Sequence, residues 1–313
     1  MGSWIGHIAP GMFKTMNIKE DRLSLPFHLY LGIFFVFFAF WWHLHNCARY
    51  IRSLANEKEE NTKREKYKFQ GSTTYPCICL PGKTLRRLPI ESIVKILITS
   101  IHFSIEIITG YNSQPRPHLG DENAHHTAML FGFFLGSWVE ILVHYKVPLP
   151  NRINQVMGVL AFAMEGLTMV FHFHARSLVD AHIHLLLGLT IVCSMIGAIG
   201  ESFDPNNFWF IIARSFFALT QGTWFLQAAY VIWPHTTNPY FVWDLESHRS
   251  VSLLTMSYAY HLAGNAFLLI VVYLLIYMFM SCKMKLNHNQ VEDDEAIDGY
   301  KLIVNGNDEE NVL

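Results

Sequence analysis

Charged side chains are scarce in this chain. Asp, Glu, Lys and Arg make up 15% of its 313 residues, against about 25% in soluble globular proteins. No basic patch or nucleic-acid-binding motif stands out, which excludes that class of protein. The five cysteines are also few, and the Cys77 and Cys79 pair has no second pair with which to form a zinc knuckle. Hydrophobic residues, at 51% of the chain, dominate what is left.

The chain contains seven long apolar stretches. Each is near or above the length of about 20 residues that a helix needs to cross a bilayer. The first stretch is too long for the apolar core of a cleavable signal peptide, so we expect an uncleaved anchor. The predicted fold is therefore all-α, a seven-transmembrane helix bundle. The seven stretches are 26–46, 90–110, 124–146, 151–173, 180–200, 208–233 and 250–281.

The distribution of Lys and Arg predicts the orientation of the bundle. The loop 47–89 is rich in both residues, and cytosolic loops typically are. This places the N-terminal segment 1–25 outside the cell or in a lumen. The transmembrane domain then covers 26–282, and the acidic tail 283–313 is cytosolic. We expect the tail to be disordered, because it has little apolar surface to bury.

The tail also contains a short pattern, Tyr300-Lys-Leu-Ile303. A tyrosine followed by a bulky apolar residue is of the kind that trafficking adaptors bind, although four-residue patterns often arise by chance. The pattern predicts trafficking adaptors as partners, next to the lipid bilayer itself.

Histidine is unusually frequent, with 17 residues against 23 Lys plus Arg. On the predicted topology, several helices bring imidazole or carboxylate groups towards the non-cytosolic leaflet. Ionisable groups are costly at membrane depth, so their convergence predicts a functional site. The candidate metal ligands are His125, His126, His172, His174, His184 and His261. The candidate catalytic carboxylates are Glu106, Glu165 and Asp180.

The chemistry that these residue types favour is that of zinc. A catalytic zinc ion takes three protein ligands and a water molecule, and His126, His172 and His184 would come from three helices. Asp180 lies four residues before His184, on the same helix face, where it could orient a ligating imidazole. A zinc-bound water would attack a carbonyl group with one of the two glutamates as general base. The pattern thus predicts a zinc-dependent hydrolase of a lipid-like amide or ester.

Other interpretations stay open. Polar side chains between membrane helices often only hydrogen-bond to one another, and the protein would then be a non-enzymatic trafficking or scaffold component. Two histidines on facing helices can instead hold a haem iron, which would make the protein a redox carrier. A transporter is a further alternative.

Two charges lie deeper, towards the cytosolic side of the predicted bundle. Glu140 is in the third apolar stretch and Arg214 in the sixth. An unpaired buried charge is costly, so we expect these two side chains to pair with each other.

Several motifs resemble those of the transmembrane protein 45 family. The most specific is His172-x-His174-x-Arg176-x-x-x-Asp180-x-x-x-His184. The others are Gly6-His7, Pro10-Gly11, Pro117-His118, His125-His126, Arg214-Ser215, Gln221-Gly-Thr-Trp-Phe-x-Gln227, Trp243-Asp244 and His261. Ala175 stands where the family usually has Gly. The resemblance implies seven helices and a location in the plasma membrane, endosomes or other endomembranes.

A weaker resemblance is to the seven-helix zinc hydrolases related to alkaline ceramidases and adiponectin receptors. Those proteins carry a His-x-x-x-His pair in the last helix. This chain has His261 and Asn265 at that spacing. The resemblance implies zinc hydrolysis, and Asn265 departs from its pattern.

Overall fold

The structure of the chain is a computed structural model in which every regular element is an α-helix. It describes the backbone of residues 18–58, 69–75, 87–112, 120–171, 177–234 and 242–309. Side chains are described for residues 25–55, 69–75, 87–111, 120, 123–171, 177–234 and 242–283. Within these ranges there are seven helices and no strand. The helices are α1 (Ile18–Lys58), α2 (Ile90–Asn112), α3 (Asp121–His144), α4 (Ile153–Val170), α5 (Leu178–Phe203), α6 (Phe208–Ile232) and α7 (His248–Glu309). The predicted all-α fold is confirmed.

Six of the helices in the described part of the chain are long and apolar enough to cross a membrane. These six segments are Leu25–Ala55, Ile90–Tyr111, Asn123–His144, Ile153–Val170, Leu178–Phe203 and His248–Lys283. They coincide with six of the seven apolar stretches of the sequence. The remaining helix, α6, is more polar and carries Arg214, Gln221 and Gln227. That α6 also spans the membrane stays a prediction.

The polar composition of α6 follows from its place in the bundle. It packs against α1, α5 and α7, and roughly half of its residues are buried. Its backbone approaches that of α1 closely at a glycine, because a Cβ atom on Gly222 would lie 2.6 Å from the backbone nitrogen of Val36. Small residues at such crossings are typical of membrane helices. A helix enclosed by protein can carry polar side chains that lipid would not tolerate.

The outer surface of the bundle is apolar. Large hydrophobic side chains such as Ile101, Ile105 and Ile108 of α2 and Phe267 and Phe279 of α7 are more than half exposed. Exposed apolar patches of this extent mark contact with another apolar phase. Acidic and basic side chains, by contrast, are buried between the helices, which inverts the arrangement usual in soluble proteins.

Most of the buried ionisable groups lie at two levels of the bundle. His126 and Glu140 are about 21 Å apart along α3, and Asp180 and Glu201 about 31 Å apart along α5, at 1.5 Å per residue. We call one level the histidine end, which consists of His28, His102, Glu106, His126, Asp180 and His184. We call the other the arginine end, which consists of Glu91, Lys95, Glu140, Glu201 and Arg214. Phenylalanines and leucines fill much of the space between, among them Phe35, Phe162, Leu187 and Leu219.

Two bounds differ from the sequence prediction. The first helix begins at Ile18 and continues to Lys58, so it includes part of the predicted segments 1–25 and 47–89. The last helix continues to Glu309, into the tail for which the sequence predicts disorder. No proline interrupts residues 248–309, and proline is the residue that would end a helix there. The trafficking pattern Tyr300–Ile303 falls where only the backbone is described.

Candidate functional site

One carboxylate at the histidine end lies between two imidazoles. The Oε1 atom of Glu106 in α2 is 3.3 Å from Nδ1 of His126 in α3 and 4.0 Å from Nε2 of His102, one turn earlier in α2. The Oε2 atom accepts a 2.7 Å hydrogen bond from the side-chain amide of Asn123. All three ionisable side chains are buried. The group joins α2 to α3 through a contact between buried ionisable side chains.

Aromatic rings of α1 cover this group. Phe27 stacks on the His126 ring, with centroids 4.1 Å apart, and its centroid is 4.9 Å from that of His102. Tyr30 stacks on the other side of His102 at 5.8 Å. These rings exclude water from the carboxylate and imidazoles. Exclusion of water lowers the local dielectric constant and so strengthens the electrostatic interaction between them.

A second carboxylate–imidazole pair lies at the start of α5. Oδ1 of Asp180 is 2.9 Å from Nδ1 of His184, one turn further along the helix. Ser177 caps the helix by accepting a hydrogen bond from the backbone N–H of Asp180, and a carboxylate in the first turn suits the helix dipole. The sequence prediction that these two side chains share a face is confirmed.

Helix α1 contacts both pairs, because Phe27 and His28 are consecutive. The His28 ring packs edge-on to His184, with centroids 6.0 Å apart, while Phe27 stacks on His126. The ring of Trp233, just beyond α6, lies 5.0 Å from that of His28. His28 was not among the residues that the sequence singled out. A lone histidine near a helix end gives no signal before the packing of α1 is known.

The other predicted site residues are placed elsewhere or are not described. Glu165 of α4 is fully buried and accepts a hydrogen bond from the side-chain amide of Gln221 in α6. His261 of α7 packs edge-on to Trp224 of α6, with centroids 5.5 Å apart. No described contact joins either residue to the two carboxylate–imidazole pairs. His125 is partly buried beside His126, and His172 and His174 lie outside the described residues.

The described residues do not by themselves form a metal site. No group of three or more His, Cys, Asp or Glu side chains in the described part of the chain could hold a metal ion. Zinc and haem therefore stay predictions, and the zinc ligand set depends on His172, which is not described. What the structure does bring together is imidazole nitrogens and carboxylate oxygens. Imidazole is also a common general acid or base and a pH-sensing group in proteins.

The arginine end pairs its carboxylates with permanent cations. Nζ of Lys95 is 2.8 Å from Oε1 of Glu91 and 3.1 Å from both carboxylate oxygens of Glu140. The indole N–H groups of Trp41 and Trp42 donate to Glu91 at 2.9 and 2.8 Å. Each acid in this network therefore has a charged or hydrogen-bonding partner.

The predicted pairing of Glu140 with Arg214 is wrong. Nε of Arg214 is instead 2.7 Å from Oε2 of Glu201, and its Nη2 atom donates to the backbone carbonyl of Ser72 at 3.2 Å. Each residue has found a partner on the helix that packs beside its own: α2 beside α3, and α5 beside α6. The spacing of Glu91 and Lys95, four residues apart, was a signal for the Lys95 network that the sequence analysis missed.

Glu140 and Arg214 do line the same cavity, of about 50 Å³. Its wall includes Gly136 of α3 and Gly158 of α4. A Cβ atom added to Gly158 would meet nothing within 4 Å. This cavity is large enough for a few water molecules, at about 10–15 Å³ each.

Comparison with known proteins supports a membrane protein. Residues 151–274 match the model of a family of unknown function, DUF716. Transmembrane epididymal protein 1 of Rattus norvegicus and transmembrane epididymal protein 1A of Mus musculus are each 25% identical to this chain over 152 residues. The match covers 47% of this chain and 48% of each relative.

The chain thus spans about half the length of the curated relatives it matches. The family match covers α4 to α6 and the first part of α7, with Asp180 and His184, but not the helices that carry Glu106 and His126. The narrower resemblance to the transmembrane protein 45 family stays a prediction. Together, the six apolar helices and the similarity to transmembrane proteins identify the chain as an integral, multi-pass membrane protein.

Proposed function

We propose that this multi-pass membrane protein binds protons at its histidine end and responds to pH, as a sensor or a proton-coupled transporter. One observation carries the proposal. Each carboxylate at this end, Glu106 and Asp180, pairs with an imidazole, whose charge changes between about pH 5 and 8. The carboxylates of the arginine end pair with Lys95 and Arg214, which stay charged over that range.

Proton binding at this end has a structural consequence. A proton on His126 converts its contact with Glu106 from a hydrogen bond to an ion pair. A proton on His184, whose Nδ1 atom is hydrogen-bonded to the backbone carbonyl of Asp180, places a positive charge 2.9 Å from the carboxylate of that residue. The attraction is worth more because aromatic rings exclude water from it. Since α1 stacks Phe27 on one pair and His28 on the other, a change in either alters the packing of α1 against α2, α3 and α5.

The proposed orientation is seven spanning helices, with α6 among them, and a cytosolic C-terminus. The arginines near the membrane edge at the arginine end, such as Arg49, Arg52 and Arg152, favour the cytosolic side for that end. The histidine end then faces the lumen or the exterior. Acidic endomembrane compartments and the plasma membrane would expose it to changing pH.

Zinc is the alternative occupant of the same end. Glu106, with imidazoles on two sides, is the carboxylate best placed to act as general base in a metal-dependent hydrolase of a lipid-like amide or ester. This proposal needs the ligand His172, whereas proton binding needs only contacts between described residues. We therefore favour proton binding.

The test uses Trp233, whose ring packs against His28, as a reporter of the contact between His28 and His184. A protonated imidazole quenches indole fluorescence at short range, so the fluorescence of the protein in lipid nanodiscs should fall between pH 8 and pH 5. The change should be smaller in Trp233→Phe, in which Trp41 and Trp224 still pack against His45 and His261. It should be at least halved in His184→Phe and unchanged in His182→Phe, which replaces a neighbouring histidine that instead bonds Thr255 of α7 at 2.8 Å.

Elemental analysis of the same preparation separates the two occupants. The account expects no stoichiometric zinc, and full fluorescence response in protein treated with a chelator. If the protein contains stoichiometric zinc, and both His126→Phe and His184→Phe lose it, then the histidine end binds a metal ion and not protons. If the fluorescence of His184→Phe changes with pH as much as that of the parent protein, the proposal that this pair binds a proton is wrong.

A further inference from the structure

A polar groove of about 500 Å³ lies at the arginine end, beside the buried ion pairs. Four segments form it: the C-terminal half of α1, the strap 69–75, the turn between α3 and α4, and the first turn of α4. Asn154 and Gln155 line both this groove and the smaller internal cavity. The groove is thus a feature of the packed bundle and not of a single loop.

The strap 69–75 is held firmly against the helices. The backbone N–H of Gly71 donates to the carbonyl of Pro205 at 2.8 Å, and a Cβ atom at this position would clash with Ile211. Phe69 and Tyr75 anchor the two ends of the strap in the interior. The burial of Tyr75 raises the pKa of its phenol, so this anchor stays neutral. The wall of the groove that the strap provides is therefore fixed.

Two arginines give the groove a positive charge. Nη1 of Arg49 donates to the carbonyl of Gln70 at 3.2 Å, and its guanidinium lies 5.0 Å above the Tyr75 ring. Nη1 of Arg152 donates to the carbonyls of Ser202 and Phe203 at 3.1 and 3.0 Å. These bonds fix both side chains but neutralise neither. The described residues that line the groove include no acid.

The start of α4 adds hydrogen-bond donors. Arg152 precedes the helix in the left-handed region, with φ at 64°, and no side chain caps the first turn. A non-glycine residue in this region is strained, and such strain clusters at binding sites. Helix starts favour anions through their uncapped N–H groups and the helix dipole. The side chain of Gln155, in the same turn, also lines the groove.

We propose that this groove binds a phosphate monoester at the membrane face, either as a lipid headgroup or as a soluble phosphate. The guanidinium group matches phosphate oxygens in a two-bond geometry, and Arg is favoured over Lys for that purpose. The two arginines, with the start of α4, provide donors on two sides of one anion. This inference does not depend on proton binding at the histidine end.

The experiment compares binding of phosphatidic acid with that of phosphatidylserine in nanodiscs of phosphatidylcholine, at equal surface charge. Native mass spectrometry of the released protein counts the retained lipid. We expect phosphatidic acid to be retained in preference to phosphatidylserine. Hydrogen bonds to charged groups typically contribute enough for Arg49→Gln or Arg152→Gln to weaken retention roughly tenfold. Arg249→Gln, an exposed arginine at the histidine end, should leave retention unchanged.

A second arm separates the two sources of phosphate. A soluble ligand is supported if inorganic phosphate displaces the lipid and raises the thermal midpoint of unfolding of the parent protein, but not that of Arg152→Gln. If inorganic phosphate changes neither lipid retention nor the thermal midpoint, the result supports a lipid headgroup as the ligand. Equal retention of the two lipids, or equal loss in Arg249→Gln, would mean general surface attraction and would overturn the proposal. A thermal midpoint in plain detergent within the error of the parent value shows that each variant is folded.

Discussion

The two ends of the bundle bury similar numbers of carboxylates and treat them differently. At the arginine end, Glu140 and Glu201 meet Lys95 and Arg214, whose charges do not change in the physiological pH range. At the histidine end, Glu106 and Asp180 meet imidazoles. Burial alone therefore does not distinguish structural from functional polar groups in a membrane bundle. We use the identity of the partner to distinguish them, because imidazole can change its charge in the physiological pH range whereas Lys and Arg do not.

Each end also has its own surroundings. The cations of the arginine end adjoin a cavity that can hold water and a polar groove beyond it, so part of their hydration is within reach. The pairs of the histidine end are covered by Phe27, Tyr30 and Trp233. A charge that appears there lies among aromatic rings, and the protein must accommodate it by packing.

The largest effect is expected from breaking an ion pair at the arginine end. Glu201→Gln leaves the guanidinium of Arg214 buried without a carboxylate, which should reduce the free energy of unfolding by about 3–5 kcal/mol. Reversible unfolding in mixed micelles measures it. Glu246→Gln, an exposed acid, is the control, with a change within about 0.5 kcal/mol.

An intermediate effect is expected from two glycines that line the cavity. A Cβ atom on Gly132 would lie 2.6 Å from the Cα atom of Ala161, so Gly132→Ala forces α3 and α4 apart. Overpacking of this kind costs about 1–3 kcal/mol. Gly158→Ala meets open space and removes backbone freedom from the unfolded chain, which should stabilise by about 0.5–1 kcal/mol. Similar losses in both variants would contradict the close approach of these helices.

The smallest effect is expected at the histidine end. Glu106→Gln keeps the shape of the side chain and a hydrogen-bond acceptor for Asn123, so the loss of stability at pH 8 should be about 1 kcal/mol. The difference in stability between pH 5 and pH 8 should become smaller than in the parent protein, because one titrating pair is gone. A loss as large as that of Glu201→Gln, with the parent's full difference in stability between pH 5 and pH 8 retained, would erase the distinction between the two ends.

Much of this arrangement could be predicted from the sequence. The apolar stretches located all seven helices, because length and hydrophobicity alone determine a buried or membrane helix. The pair of Asp180 and His184 followed from a spacing of four residues. Glu106 and His126 were placed in the same leaflet, but their contact depends on how α2 packs on α3, which no local pattern records.

The errors have the same cause. Glu140 and Arg214 were paired because both are buried charges at one level, whereas the structure gives each a nearer partner on an adjacent helix. The side-chain amide of Gln221 in α6 is the partner of Glu165 in α4, a contact that no sequence pattern predicted. Side chains on different helices meet through packing, and packing is determined by the bundle as a whole.

The most direct test is the charge state of two histidines in the intact protein. Nuclear magnetic resonance of protein labelled with ¹⁵N at histidine, in nanodiscs, follows each ring between about pH 5 and 8. Signals of His126 and His184 are assigned from their loss in His126→Phe and His184→Phe. The account predicts that both rings gain a proton within this range. If both keep one neutral state throughout, or show the shifts of metal-bound imidazole, the histidine end does not bind protons.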